Sequence, residues 1–181
     1  MMHGAVTRPL QILALITLPG LTSCDRQSDS THVFRNDEHK VSFRYPSTWE
    51  SVPPQLNGTL VLLNARDGSF ATCNLSVRDA DRTTVDQMGE AYCKTMLSKL
   101  YPDVALREVR FIDSINGKRV IVEYYFTLPT PSGRVPAASL TLIALQNGKR
   151  YMLIVNSKRE RLEIVRPTFE LMAGSLLFDV E

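Results

Sequence analysis

The chain has 181 residues, with 21 Lys and Arg set against 19 Asp and Glu. Charges of both signs are interleaved without a basic stripe, which excludes the electrostatic footprint of a nucleic-acid binder. There is no internal repeat and no low-complexity segment, so a repeat array is excluded too.

The first segment carries Arg8 and no acid, followed by an apolar run from Leu10 to Leu18 that Pro19-Gly20 ends. That run is about half of the ~20 residues a spanning helix needs, so an export signal fits it better than a permanent transmembrane anchor. The competing reading is a buried N-terminal helix with Cys24 as an ordinary thiol. Leu21-Thr22-Ser23-Cys24 fits the lipobox pattern, and at this point the chain resembles a bacterial lipoprotein precursor. The resemblance implies a signal peptide over residues 1–23, cleavage before Cys24, diacylglycerol on the Cys24 thiol and an acyl chain such as palmitate on the new amine. Two or more chains hold a protein stably at a membrane where one holds only marginally. In enteric-type lipoproteins an acid at the place of Asp25 resembles an inner-membrane retention signal. The expected location is therefore the bacterial envelope, lipid-anchored and facing the periplasm, with the inner membrane favoured. Loss of residues 1–23 removes Arg8 and no acid, leaving 20 basic and 19 acidic groups, a net of +1.

Asp25 to Thr31 is polar and reads as a tether with an extended reach of at most ~25 Å, so 24–31 comprises the lipidated Cys and tether and 32–181 one domain. Val33 to Tyr45 reads as a hairpin turning at Asn36-Asp37-Glu38, with Val41, Phe43 and Tyr45 on one face. Pro46 breaks the strand, and Trp49, the only Trp, is large enough to anchor a core. Strands follow at Thr59–Asn64 and Ser69–Val77. In the second, Ala71, Cys73, Leu75 and Val77 alternate onto an apolar face.

Thr84 to Leu100 is the clearest helix. Thr84 and Gln87 make a capping box, and Val85, Met88, Tyr92 and Met96 recur at helical spacing beside Cys93, Leu97 and Leu100. The Met and Tyr stripe is most simply core, and Pro102 stops the helix. Four strands then form a meander: Ala105–Asp113, Lys118–Leu128, Ala137–Gln146 and Arg150–Ser157. Asn116-Gly117 and Asn147-Gly148 supply two-residue turns. The middle strands are apolar on both faces and need cover on both sides. The Thr84 helix and a C-terminal helix with Pro167 in its first turn supply it, the latter through Phe169, Leu171, Met172, Leu176 and Leu177. The fold class is α+β, an antiparallel sheet with helices on both faces.

Cys73 and Cys93 both point inward, and export puts them in an oxidising compartment. A bridge between them would close a loop of 20 residues (73 to 93) and contribute ~3 kcal/mol where geometry permits. The alternative is two buried, unpaired thiols.

Val41-Ser42-Phe43-Arg44-Tyr45-Pro46-Ser47-Thr48-Trp49 resembles the F-x-Y-P-x-x-W opening of PsbP-like domains, and the Phe169–Phe178 stretch is similar to their last helix. The resemblance covers Val33–Phe178 and implies an α/β/α sandwich. With a lipobox in front it points to DcrB-type envelope lipoproteins. The same fold serves photosystem II extrinsic subunits and cytoplasmic Eag-type chaperones that cradle apolar helices, so the family implies binding and assembly rather than catalysis. No ligand residue carries over, and fold alone does not fix function.

A search for chemistry finds little. His32 and His39 flank the first turn without Cys or carboxylate at metal-ligand spacing, so neither a metal nor a cofactor is expected. There is no G-x-S-x-G elbow, P-loop or dinucleotide glycine pattern. Glu123 interrupts an apolar strand, which an edge or rim position explains; Arg159, Arg161 and Arg166 near the last helix read as a solvated face. The expectation is a non-enzymatic binding or assembly module, anchored through lipid on Cys24, for a protein partner in the membrane or periplasm. The alternatives are a small-molecule or lipid binder with its pocket between the sheet and the Thr84 helix, and an effector-chaperone-like protein. An enzyme is disfavoured by the missing nucleophile and base.

Overall fold

The computed structural model describes residues 30–54, 56–114, 117–131 and 133–179. The expected signal peptide, Cys24, Asp25 and the tether before residue 30 lie outside them. Among the described residues, ten strands form two antiparallel sheets.

The smaller sheet joins β1 (Thr31–Asn36) and β2 (Val41–Pro46) as a hairpin, with β10 (Leu177–Phe178) on the other side of β2. Asn36 Oδ1 accepts from the His39 N–H at 2.8 Å and closes the turn. The larger sheet has the order β3-β4-β5-β9-β8-β7-β6. Its strands are β3 (Trp49–Val52), β4 (Thr59–Ala65), β5 (Thr72–Asp79), β6 (Ala105–Ser114), β7 (Gly117–Thr130), β8 (Gly133–Gln146) and β9 (Lys149–Lys158). The meander β6–β9 follows the sequence reading, with β8 starting four residues earlier than expected and β7 running two residues further at its end. Asn147 and Gly148 adopt φ of 50° and 69°, the left-handed pair that a tight β8–β9 turn requires. Asn116 of the other expected turn lies outside the described residues.

Alternate positions along the central strands feed two separate cores. Ile121, Leu140, Leu142, Leu153 and Val155 pack with Val165, Phe169 and Met172 of α3 (Leu162–Gly174), and with Val41, Phe43, Trp49 and Phe178. Val120, Val122, Tyr124, Ile143 and Met152 pack instead with Met88, Tyr92, Cys93 and Leu97. Those four residues lie on an unbroken run of helix made of α1 (Val85–Ala91), a π-helical segment (Tyr92–Leu97) and α2 (Ser98–Leu100). The capping box is formed, with the Thr84 N–H donating to Gln87 Oε1 at 3.1 Å.

Three expectations are corrected. The bridge between Cys73 and Cys93 is not formed. Both are free, buried thiols, Cys73 in the core that α3 fills and Cys93 in the one that α1 fills. Pro167 is not in the first turn of the last helix, which starts at Leu162. Burial of Leu162 and Val165 extends the helix by a turn despite the hydrogen bond that Pro167 cannot donate. Glu123 is not at an edge: β7 is paired on both sides, and Glu123 is 7% exposed. Arg166 reaches it at 2.9 Å while also holding Glu163 at 2.9 Å.

Candidate functional site

A cleft of about 680 Å³ opens between the helical run and the sheet. It exists because α1 is docked toward one end of the sheet. Gly89 lets the helix backbone approach so closely that a Cβ there would lie 2.5 Å from Val109 Cγ1 on β6 and 3.4 Å from Val120 Cγ2 on β7. Helix placed over β6 and β7, reaching as far as Met152 of β9, leaves most of the same face of β4, β5 and β9 bare. The side chains that alternate onto that bare face are Leu62 from β4, Asn74, Ser76 and Arg78 from β5, and Arg150, Met152, Ile154 and Asn156 from β9.

The π-helical segment shapes the opposite wall. The Ser98 N–H bonds back to the Cys93 carbonyl, one residue further than in an α-helix. The extra residue rotates the apolar stripe, so Leu97 takes the buried place while Met96 and Leu100 stand 44% and 69% exposed. These two were expected in the core; instead they line the cleft with Tyr92, Leu97 and Tyr101. Behind them an aromatic cluster closes the floor: Tyr101 meets Phe126 at 4.3 Å between ring centroids, and Tyr124 meets Phe126 at 5.6 Å. Leu56, 75% exposed, stands at the rim.

The electrostatics of the cleft are one-sided. Among the described residues, its lining includes Arg78 and Arg150 and contains no Asp, Glu, His or Cys. The two arginines are directly opposite each other in the β5–β9 register. A smaller pocket of about 130 Å³ adjoins it, sharing Tyr92, Met96 and Arg150 and adding Asp81 and Thr83. Hydrogen bonds from Thr83 hold Asp81 below the usual carboxylate range, with Arg150 adding to the effect. Arg150 reaches Asp81 only at 3.4 Å through one terminal nitrogen, and its Nε is buried without a partner. Burial raises Tyr92 and Tyr124 above the ordinary phenol range, with mutual proximity adding to the rise at Tyr92, so neither supplies a base near neutral pH.

The residues singled out from sequence are scattered. His32 meets the Tyr45 ring at a tilt, with centroids 5.6 Å apart, and His39 sits in the β1–β2 turn, where its carbonyl accepts from the Tyr151 hydroxyl at 3.4 Å. Among the described residues no three His, Cys, Asp or Glu side chains are grouped to hold a metal ion. Arg159 lies over the Tyr125 ring at 4.2 Å, and Arg166 is committed to Glu123 and Glu163. Sequence reasoning missed the cleft's polar floor. Its signal was the second face of β5, where Thr72, Asn74, Ser76 and Arg78 alternate with the apolar positions.

No protein-family model matches the chain, and no curated protein matches it in sequence. Solved structures do match. Cyanobacterial PsbP (CyanoP) from Synechocystis sp. PCC 6803 aligns with a TM-score of 0.65 and 16% identity, over 88% of this chain and 99% of that one. The Saccharomyces cerevisiae Ran-binding protein Mog1p aligns with a TM-score of 0.63 and 5% identity, over 83% and 96%. LpqN of Mycobacterium tuberculosis, involved in cell envelope biogenesis, aligns with a TM-score of 0.53 and 7% identity, over 86% and 88%. At such identities the likeness establishes the fold alone. The fold is PsbP-like, a mixed α and β architecture with mostly antiparallel sheet.

Proposed function

We propose that this chain is a non-enzymatic binding module of the bacterial envelope, held at the periplasmic face of a membrane by lipid on Cys24, where it engages a membrane or periplasmic protein. The observation that carries the reading is the cleft. Among the described residues it offers volume, apolar walls and hydrogen-bonding amides, but no acid, His or Cys in its lining to move a proton or attack a bond. In this reading the large sheet is the middle layer of an α/β/α sandwich. The helical run covers part of one side and leaves the remainder for the partner. The lipobox supports the tether, and the fold shared with LpqN, involved in cell envelope biogenesis, supports the envelope. Asp25 supports the inner membrane. Among the described residues no helix is long and apolar enough to cross a membrane. A tether of this kind works by raising the effective concentration of the domain near membrane-bound partners.

The test is intact mass of protein extracted from native membranes, beside Cys24→Ala. A chain beginning at Cys24 with added acyl mass, lost in the variant, is the expected result. A photo-crosslinking residue in place of Met96 should then capture a discrete protein. An unmodified chain retaining Met1 overturns the tether, and a crosslinker that captures no protein overturns the protein partner. A second reading, a small amphipathic molecule held in the same cleft, is favoured by one observation: two facing arginines at the end of an apolar groove.

A further inference from the structure

Arg78 and Arg150 are an unusual pair to find facing each other. Their Cα atoms are direct partners across two antiparallel strands, and like charges so placed repel and destabilise the pairing. Nothing nearby neutralises them fully. Lys149 and Asp79, the next register pair along, neutralise one another at 2.6 Å. Asp81 is engaged mainly by Thr83 and reaches only one terminal nitrogen of Arg150, at 3.4 Å. The Arg150 side chain is 15% exposed, and its buried Nε has no acceptor. A buried guanidinium donor left unpaired is costly, and guanidinium groups match carboxylate and phosphate oxygens in geometry as well as charge. The two arginines are thus a place with positive charge and spare donors, only partly engaged by Asp81 through Arg150.

Away from the arginines, apolar side chains run the length of the cleft beside the polar Asn74, Ser76 and Asn156 of its sheet side. Leu62, Leu97, Leu100, Tyr101, Met152 and Ile154 line its length, with Met side chains able to adapt to an irregular ligand. The volume of about 680 Å³ falls in the range of sites that enclose a small molecule.

We propose that the cleft binds an anionic amphiphile, a single long hydrocarbon chain ending in a carboxylate or phosphate. The acidic group sits between Arg78 and Arg150, and the chain lies between β9 and the π-helical segment. The inference rests on the second reading above, that the cleft takes a small molecule, and it supplies the charge and class of that molecule.

The experiment uses the full chain in nanodiscs of a zwitterionic lipid. Three photoreactive probes share one diazirine-bearing alkyl chain and end in a carboxylate, a phosphate or an uncharged alcohol. Labelled peptides are identified by mass spectrometry as each probe is titrated. The two acids are expected to label the peptides carrying Met96 and Met152, at half-saturating concentrations about tenfold below that of the alcohol, the scale of one charge-assisted hydrogen bond. Arg78→Gln and Arg150→Gln should each remove most of that difference, while Arg161→Gln on the 3₁₀ turn preceding α3 leaves it intact. Arg78 is exposed, so its variant keeps the test informative even where Arg150→Gln unfolds. A carboxylate stronger than phosphate points to a free fatty acid, and the reverse to a phospholipid-type headgroup; either result supports the proposal. Equal labelling by the alcohol, or acid labelling that survives both arginine variants, overturns it. Labelling by none of the probes, with a protein still captured at position 96, also overturns it and leaves the protein-partner reading standing.

Discussion

Glu123 and Arg166 form a partly buried ion pair between β7 and α3, at 2.9 Å, and the pair is asymmetric. Arg166 keeps 29% side-chain exposure and a second carboxylate, Glu163, whereas the Glu123 side chain is 9% exposed. Hydrogen bonds to Glu163 and Glu123 raise Arg166 further above its ordinary range, so it stays charged at any pH the fold survives. Removing one partner strands the other, and the penalty follows whichever charge is left more deeply buried. Arg166→Met is therefore expected to cost about 3 kcal/mol, and Glu123→Gln about 1 kcal/mol, since Arg166 retains Glu163. Glu123→Leu combined with Arg166→Met should return close to the parent. Urea midpoints at neutral pH measure all three, and equal penalties for the single variants would contradict the asymmetry. The thiols make a pH prediction. Burial pushes Cys93 from 9.0 to about 11 and moves Cys73 in the same direction. The unfolded chain then releases these protons before the native state does. The contribution of Cys93 to stability is complete below about pH 9 and is lost as pH rises toward 11, while that of Cys73 is lost over a range reaching higher pH. Cys93→Ala should flatten part of that decline in urea midpoints. A slope identical to the parent would show that Cys93 ionises equally in both states.

At the scale of elements, the helical run shows what periodicity conveys and where it stops. The stripe through Val85, Met88, Tyr92 and Met96 announces a helix, and Thr84 with Gln87 announces its start. Loss of the cap by Thr84→Ala should cost about 1 kcal/mol in thermal or urea unfolding. What the stripe does not announce is the π-helical segment, which rotates everything after it and turns Met96 and Leu100 from core into cleft wall. That shift arises where the helix meets the sheet and has no signature in spacing. Gly89 is a similar case. In sequence it reads as a weak point of the helix, worth roughly 1 kcal/mol against Ala. In the fold it is the contact that lets α1 lie on Val109. Gly89→Ala should therefore destabilise, by about 1–2 kcal/mol, because overpacking a short contact outweighs the gain in propensity. Val109→Ala in the same chain makes room for the new methyl, so the two changes together should cost less than their sum. Strict additivity in urea unfolding would mean that the close approach is not what Gly89 serves.

Across the whole molecule, what could be read in advance was local. Each hairpin of the β6–β9 meander follows from turn residues and alternation within a short stretch, and the Trp49 segment declares itself by its bulk. The pairing of β5 with β9 joins residues far apart in the chain, such as Cys73 and Val155, and no local pattern encodes it. The cleft depends on that pairing, because Arg78 meets Arg150 only once β5 and β9 lie side by side. This explains why the helices and the meander were legible while the site was not. It also bears on cooperativity. The two cores lie apart, but β7, β8 and β9 supply both, through alternate side chains of the same strands. Damage to one core should therefore reach the other through the shared backbone. Trp49, the only Trp, is buried at 3% exposure in the α3 core and reports on that core alone. Leu97 is 4% exposed in the α1 core, and Leu97→Ala should cost about 3 kcal/mol. If the sheet makes one cooperative unit, Trp49 fluorescence and far-ultraviolet circular dichroism will move to the same lower urea midpoint in that variant. A Trp49 transition left at the parent midpoint while the helix signal melts earlier would divide the domain into two units. The cleft wall would then be the looser of them, able to open for a ligand while the α3 core stays folded.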